Sequence, residues 1–197
     1  LHRVFDSPHD LILWDTGHQA YVHKILTGRK DEFVSLRQAG GLSGYPSRRE
    51  SEHDWIENSH ASTVLSYAHG MAEALQAAGE TDRHVVAVIG DGSMTGGMAY
   101  EALNNLGHAN ARVLIVLNDN GRSYAPTISH LTRAVSKIRS KPIYARGKKK
   151  SEEIINNLPI VGGLGRRTVK GVKAALREMV DEPTAFFETL GVRYLGP

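Results

Sequence analysis

The stretch Val85-Val86-Ala87-Val88-Ile89-Gly90-Asp91-Gly92 decides how this chain folds. Its opening aliphatic run, mostly β-branched, reads as a strand buried on both faces, and Gly90-Asp91-Gly92 ends it in a polar turn. Gly96-Gly97 precede a helical stretch, Met98–Leu106, that closes near Gly107. Val113–Leu117 is a second fully apolar run, and it too enters a polar turn, Asn118-Asp119-Asn120. Strand, helix and strand in that order predict a βαβ unit with parallel strands buried on both faces.

The same pattern extends outward. Upstream, Ser62–Ala78 carries Val64, Ala68, Met71, Ala72 and Leu75 at helical spacing, with Gly79 as its stop. His9–Asp15 predicts another short buried strand and Gln19–Leu26 a helix stopped by Gly28, while Ala39–Asp54, rich in Gly, Ser and Arg with Pro46, predicts a loop. Downstream, Thr168–Val180 predicts a helix and Val192–Leu195 a last strand. The fold class is α/β, with a doubly wound, mainly parallel sheet.

Composition bounds the function. The 197 residues contain no cysteine, which excludes disulfides and thiolate metal sites, and ten histidines leave His or carboxylate sites open. No apolar run approaches the roughly 18 residues of a membrane span and no signal-peptide layout opens the chain, so a cytoplasmic protein without a membrane partner is expected. Between Leu131 and Arg177 there are 13 Lys and Arg against two acids, whereas the rest of the chain has 11 basic and 19 acidic residues. Without an interleaved aromatic platform this segment reads as a solvated connector, and no nucleic acid partner is expected. The chain is read as one incomplete domain over residues 1–197 with a basic, mobile insertion around residues 123–167. Leu1 and the turn-like Leu195-Gly196-Pro197 read as the ends of a piece of a longer protein.

The two polar strand ends carry the chemistry. In open parallel sheets ligands bind beyond the carboxyl ends of the strands, and one crossover brings Asp91 and Asn120 near each other there. A carboxylate and an amide oxygen form a hard ligand pair for Mg²⁺, whose remaining positions go to phosphate oxygens and water. Gly92 and Gly96-Gly97 allow close backbone approach to a diphosphate, and the helix beginning near Gly97 turns free N–H groups and a positive dipole end toward it. A nicotinamide-type glycine fingerprint is disfavoured by the acid at the centre of the turn, and no P-loop motif occurs.

Gly-Asp-Gly, the 27 residues Ser93–Asp119, then Asn form a pattern that resembles the diphosphate motif of thiamine-diphosphate enzymes. Further blocks narrow the likeness. Trp14-Asp15-Thr16-Gly17-His18-Gln19-Ala20-Tyr21, His23–Arg29, Gly40-Gly41-Leu42, Glu50–Asp54, Ser59-His60-Ala61-Ser62-Thr63 and Phe187–Pro197, in this order, resemble the 1-deoxy-D-xylulose-5-phosphate synthases along nearly the whole chain. The resemblance implies a three-layer α/β/α fold that binds thiamine diphosphate and Mg²⁺. It implies Asp91, Asn120 and the backbone carbonyl of Arg122 as metal ligands, with Asn120, Gly92 and Ser93 at the diphosphate. Ser59, His60 and Ala61 line the cofactor, where the family commonly has Gly at the position of Ser59; a serine there can still cap the helix starting near Ser62 but makes close backbone approach less easy. His18 matches a histidine beside cofactor and substrate. His23, His53 and His108 are read as surface or structural residues, and Arg48 and Arg49 as a solvated loop rather than a phosphate clamp.

The implied reaction joins pyruvate, after loss of CO₂, to D-glyceraldehyde 3-phosphate, giving 1-deoxy-D-xylulose 5-phosphate, an isoprenoid and cofactor precursor, in a homodimeric enzyme. The family's activating glutamate, an upstream Ser-Gly-His block and the arginines that grip substrate phosphate have no counterpart here. The 197-residue chain alone is therefore expected to be inactive, and deoxyxylulose phosphate produced by it would refute that. Another transketolase-like enzyme, or a truncated cofactor-binding module without catalysis, are the alternatives.

Overall fold

A computed structural model describes residues 1–119 and 182–195. The described residues fall into two compact units, one formed by residues 1–119 with Leu190–Val192, the other by Glu182–Thr189 with Arg193–Leu195. Asn120, Arg122, the helix expected over Thr168–Val180 and the basic segment lie outside the described residues.

The first unit is built on β1 (Leu11–Trp14), followed by a tight helical turn over Gly17–Ala20 and α1 (Tyr21–Lys24). Next come α2 (Val64–Ala77), β2 (Val85–Gly90), α3 (Gly97–Ala109) and β3 (Val113–Asn118). The three strands are all parallel in the order β1-β2-β3, with Trp14 level with Val88 and Gly90 level with Asn118. All three carboxyl ends therefore meet at one edge. The α/β class with a parallel sheet is what the sequence pattern predicts, and among the described residues the strand order shows no reversal.

Central β2 is buried at every residue, as a strand flanked on both sides and covered on both faces must be. The expectation that β3 is equally buried fails: its residues are half-buried or exposed, and Leu114 is an exposed leucine. A run of aliphatic residues reports how apolar a strand is, and does not report what covers it.

Helix ends follow from local backbone chemistry. Gly79, at φ +74, closes α2: its N–H donates to the Gln76 carbonyl and that of Glu80 to Leu75, so two terminal carbonyls are satisfied. α3 runs past the expected stop at Gly107, and left-handed Asn110 ends it, with the Ala111 N–H reaching the Leu106 carbonyl. Gly107 has a different reason to lack a side chain, because a Cβ there would strike the backbone carbonyl of Leu190. The helix expected over Gln19–Leu26 is present as consecutive helical turns, Gly17–Ala20, α1 and Ile25–Arg29, and as expected it stops at Gly28: the backbone leaves helical geometry at Thr27 and Gly28, the latter at φ +94.

In the second unit, α4 (Glu182–Thr189) places Phe187 in a buried position, its ring stacked on Tyr194 at 5.4 Å between centroids. The strand expected over Val192–Leu195 is absent; these residues form no ladder. No described helix is long and apolar enough to cross a membrane.

Candidate functional site

Three loops leave the carboxyl edge of the sheet, and two close contacts lock them together. After β2, Asp91 and Gly92 form a turn into the short helical turn Ser93–Thr95, then Gly96 adopts an extended conformation and α3 starts at Gly97. A side chain at Gly90 would come within 3.0 Å of the Gln19 amide nitrogen, so the loop after β1 lies against the end of β2. A side chain at Gly96 would run into the Ser62 Cβ and hydroxyl, so the segment before α2 lies against the start of α3. These contacts gather the loops that carry His18, Ser59–Ala61 and Asp91–Ser93 at one edge. Asn120 and Arg122 follow β3 in sequence but lie outside the described residues.

The electrostatics single out Asp91. It is 8% exposed, its Oδ2 is buried, and no hydrogen-bond partner meets that oxygen. No ion pair among the described residues includes it. A buried carboxylate oxygen without a donor is costly, and a hard cation is the chemistry that satisfies it. Among the described residues no cluster of three or more His, Asp or Glu side chains could hold a metal. A buried carboxylate oxygen is a hard donor of the kind Mg²⁺ takes, an ion that completes its shell from phosphate and water. Thr16 Oγ1 and Gln19 Oε1, on the loop after β1, are also buried without partners. The loop that starts at Asp91 leads through Gly96 into α3, which begins at Gly97 with no side-chain cap, and this leaves the positive end of the helix open to an anion.

The remaining site residues divide by exposure. Ser93 is buried and Gly92 half-buried, whereas His18, Ser59, His60 and Ala61 are exposed. The expected cap from Ser59 is not made. Asp15, fully buried at the end of β1, accepts hydrogen bonds from the N–H groups of Ser62, Thr63 and Val64 at 3.0, 3.0 and 3.1 Å and so caps α2 from another element. A serine five residues ahead of the helix loses this role because a fixed carboxylate already occupies the helix end.

A buried ionic cluster beneath the loop at residues 43–54 was not foreseen in the sequence. The Lys24 ammonium, 0% exposed, donates to the Ser43 carbonyl at 2.9 Å and to Glu50 at 2.5 Å, while the Ser43 N–H donates back to Glu50 at 2.6 Å. Arg29 makes a two-pronged pair with Asp54 at 2.6 and 3.0 Å, and His23 Nε2 lies 2.9 Å from the same carboxylate. Burial alone would push the Asp54 carboxyl up, but hydrogen bonds from His23, Arg29 and the Ser47 N–H, with the Arg29 charge, hold it well below the usual range. His23 is thus structural, as read from sequence; His53 contacts Ser7, and His108, Arg48 and Arg49 are exposed. The pinned loop crosses the site's margin, since a Cβ at Gly17 would meet the Gly44 carbonyl and the Tyr45 ring. The sequence signal for the cluster was a Lys and an Arg five apart facing Glu50 and Asp54 four apart, in segments read separately as helix and loop.

Comparison with known proteins gives the family. The whole chain, residues 1–197, matches the family model described as 1-deoxy-D-xylulose-5-phosphate synthase. It is 54% identical over 197 residues to the 1-deoxy-D-xylulose-5-phosphate synthase of Mycobacterium tuberculosis strain H37Rv, covering 100% of this chain and 31% of that protein. The enzyme of the same name from Mycobacterium avium strain 104 is 55% identical with the same coverage. The chain therefore spans about a third of the length of these curated relatives. Among solved structures, a transketolase from Leishmania mexicana superposes with a TM-score of 0.51 at 24% identity, over 58% of this chain and 20% of that one. That likeness supports the fold.

Proposed function

From the premise that the chain belongs to the 1-deoxy-D-xylulose-5-phosphate synthase family, we propose that it is the diphosphate-holding part of a thiamine-diphosphate enzyme. In this reading Asp91, Asn120 and the Arg122 carbonyl ligate Mg²⁺, and Asn120, Gly92, Ser93 and the start of α3 receive the diphosphate. His18, Ser59, His60 and Ala61 line the cofactor. Residues 1–197 form one incomplete domain with the basic segment around 123–167 as an insertion. The reaction of the complete protein is the condensation of pyruvate, with loss of CO₂, with D-glyceraldehyde 3-phosphate to 1-deoxy-D-xylulose 5-phosphate. The protein acts as a cytoplasmic homodimer, a reading that rests on family resemblance.

The observation that carries the proposal is the buried, unpartnered Asp91 Oδ2 on the loop that leads into the uncapped start of α3. Thiamine diphosphate, when bound, supplies the nucleophilic carbon and the electron sink that decarboxylation of a 2-oxo acid requires. The chain's own part is to compensate charge and fix position. Asp91 brings negative charge to the cation, the α3 N–H groups meet the anion, and Gly96 admits Ser62 so that the loops close up. Calorimetry on the complete protein tests this. Thiamine diphosphate is expected to bind only with Mg²⁺ present, and Asp91→Ala to abolish that metal-dependent binding. Equal binding with and without the ion, or by the variant, would sink the reading.

A further inference from the structure

We infer that Asp15 is a positioning residue for the cofactor site, acting through the backbone of residues 58–63 and the contact of Ser62 with Gly96; this rests on the thiamine diphosphate reading above. Asp15 is wholly buried and both carboxylate oxygens are in use, Oδ2 on the Ser62 N–H and Oδ1 on those of Thr63 and Val64. Its backbone is equally fixed. The Asp15 N–H donates to the Val88 carbonyl at 3.0 Å, tying it to β2, and its own carbonyl accepts from Asn58 Nδ2 at 3.0 Å. Asn58 Oδ1 in turn accepts from the His60 N–H at 3.0 Å, and the Thr63 hydroxyl donates to the His60 carbonyl at 2.8 Å. One residue at a rigid strand end thus holds the turn that presents His60 and Ala61 from both sides.

Ser62 shows that more than a helix cap is at stake. It sits at φ +72, in the left-handed region that non-glycine residues rarely adopt, and Asp15 Oδ2 holds its N–H there. In that conformation its side chain fills the space a Cβ on Gly96 would need. Gly96 is the residue from which α3 starts. Local capping groups were available in Ser62 and Thr63, yet Thr63 turns its hydroxyl to His60 and Ser62 packs on Gly96. The distant carboxylate frees both for these contacts, so the position of the α3 start depends on Asp15.

Asp15→Asn is the decisive substitution, because its amide keeps the shape while turning an NH₂ donor toward at least one backbone N–H. In the complete protein at saturating Mg²⁺, the calorimetric Kd for thiamine diphosphate should rise about tenfold, the size of a lost cap. The far-ultraviolet circular dichroism of the cofactor-free protein should stay unchanged. Gly96→Ala pushes on Ser62 from the other side, so the two changes act on one contact. The double variant should therefore weaken binding by much less than the product of the single effects. An unchanged Kd in Asp15→Asn, or a double variant that equals the product, overturns the inference. If Asp15→Asn does not fold, Asn58→Ala replaces it in the same cycle; non-multiplicative effects support the inference and multiplicative ones overturn it. A parent protein that binds no cofactor with Mg²⁺ removes the cofactor reading itself, whereas a parent that binds and an Asp15→Asn that binds equally well removes only the positioning role.

Discussion

Helices α2 and α3 leave the same edge of one parallel sheet, each with a buried aspartate at the end of a strand, and the two aspartates do opposite things. Asp15 turns onto the first N–H groups of α2 and accepts three hydrogen bonds from them. The positive end of that helix is neutralised from within, and no external anion has a reason to go there. Asp91 leaves one oxygen without a partner, and the loop it opens leads into α3, which begins at a glycine with no cap. One helix end is completed by the chain; the other is left incomplete together with an uncompensated carboxylate. A site for a cation and an anion at once is what that second arrangement asks for, and this is why the diphosphate is assigned to α3 rather than to α2.

The largest expected effect comes from making α3 resemble α2. A Cβ at Gly97 meets nothing within 4 Å, so Gly97→Asp is sterically tolerated and brings a carboxylate to the open helix end. Two like charges about 4 Å apart at an effective dielectric of roughly 20 repel by about 4 kcal/mol, so affinity for thiamine diphosphate should fall about a thousandfold. Gly97→Asn, the neutral control, should lose far less. Calorimetry of both variants in the presence of Mg²⁺ decides, and equal losses would break the comparison.

The next effects concern stability and have opposite signs. Asp15→Ala strips three N–H groups of their acceptor and should destabilise the cofactor-free protein by about 3 kcal/mol, read from urea denaturation. Asp91→Asn removes a buried charge that nothing compensates in the absence of metal, so it should stabilise the same state by about 1 kcal/mol while Mg²⁺-dependent binding is lost. Destabilisation by Asp91→Asn would show that its carboxylate already has a partner within the fold.

Much of this was legible in the sequence because periodicity and turn residues speak for local structure. The strand Val85–Gly90, the helix ending at Gly79 and the start at Gly97 follow from aliphatic runs and glycines, and the structure agrees. Asp91 was legible because a strand that ends in Gly-Asp-Gly puts the acid where the sheet opens. Asp15 was not, because its partners lie 47 to 49 residues away and a cap supplied from another element leaves no local pattern. Gly107 was misread as a helix stop for the same reason; the Leu190 carbonyl that requires it is remote in sequence. The cluster joining Lys24 and Arg29 to Glu50 and Asp54 also closes over long separations, and charged residues in a glycine-rich stretch read as solvated until their partners are known.

Asp54 offers the finest test, since it is another buried carboxylate and, like Asp15, a saturated one. Burial raises its pKa, but the hydrogen bonds from His23, Arg29 and the Ser47 N–H outweigh that, so the folded value lies below the unfolded one. The sign follows from linkage: a depressed folded pKa gives stability that is fully present above the unfolded value, about 3.9, and is lost as the pH falls below it. Urea midpoints of the cofactor-free protein should therefore drop from pH 5 to pH 3, and Asp54→Asn should flatten that part of the profile while lowering stability at pH 7. An acid limb as steep in Asp54→Asn as in the parent would show that this saturated carboxylate does not set the acid stability, and would remove its likeness to Asp15.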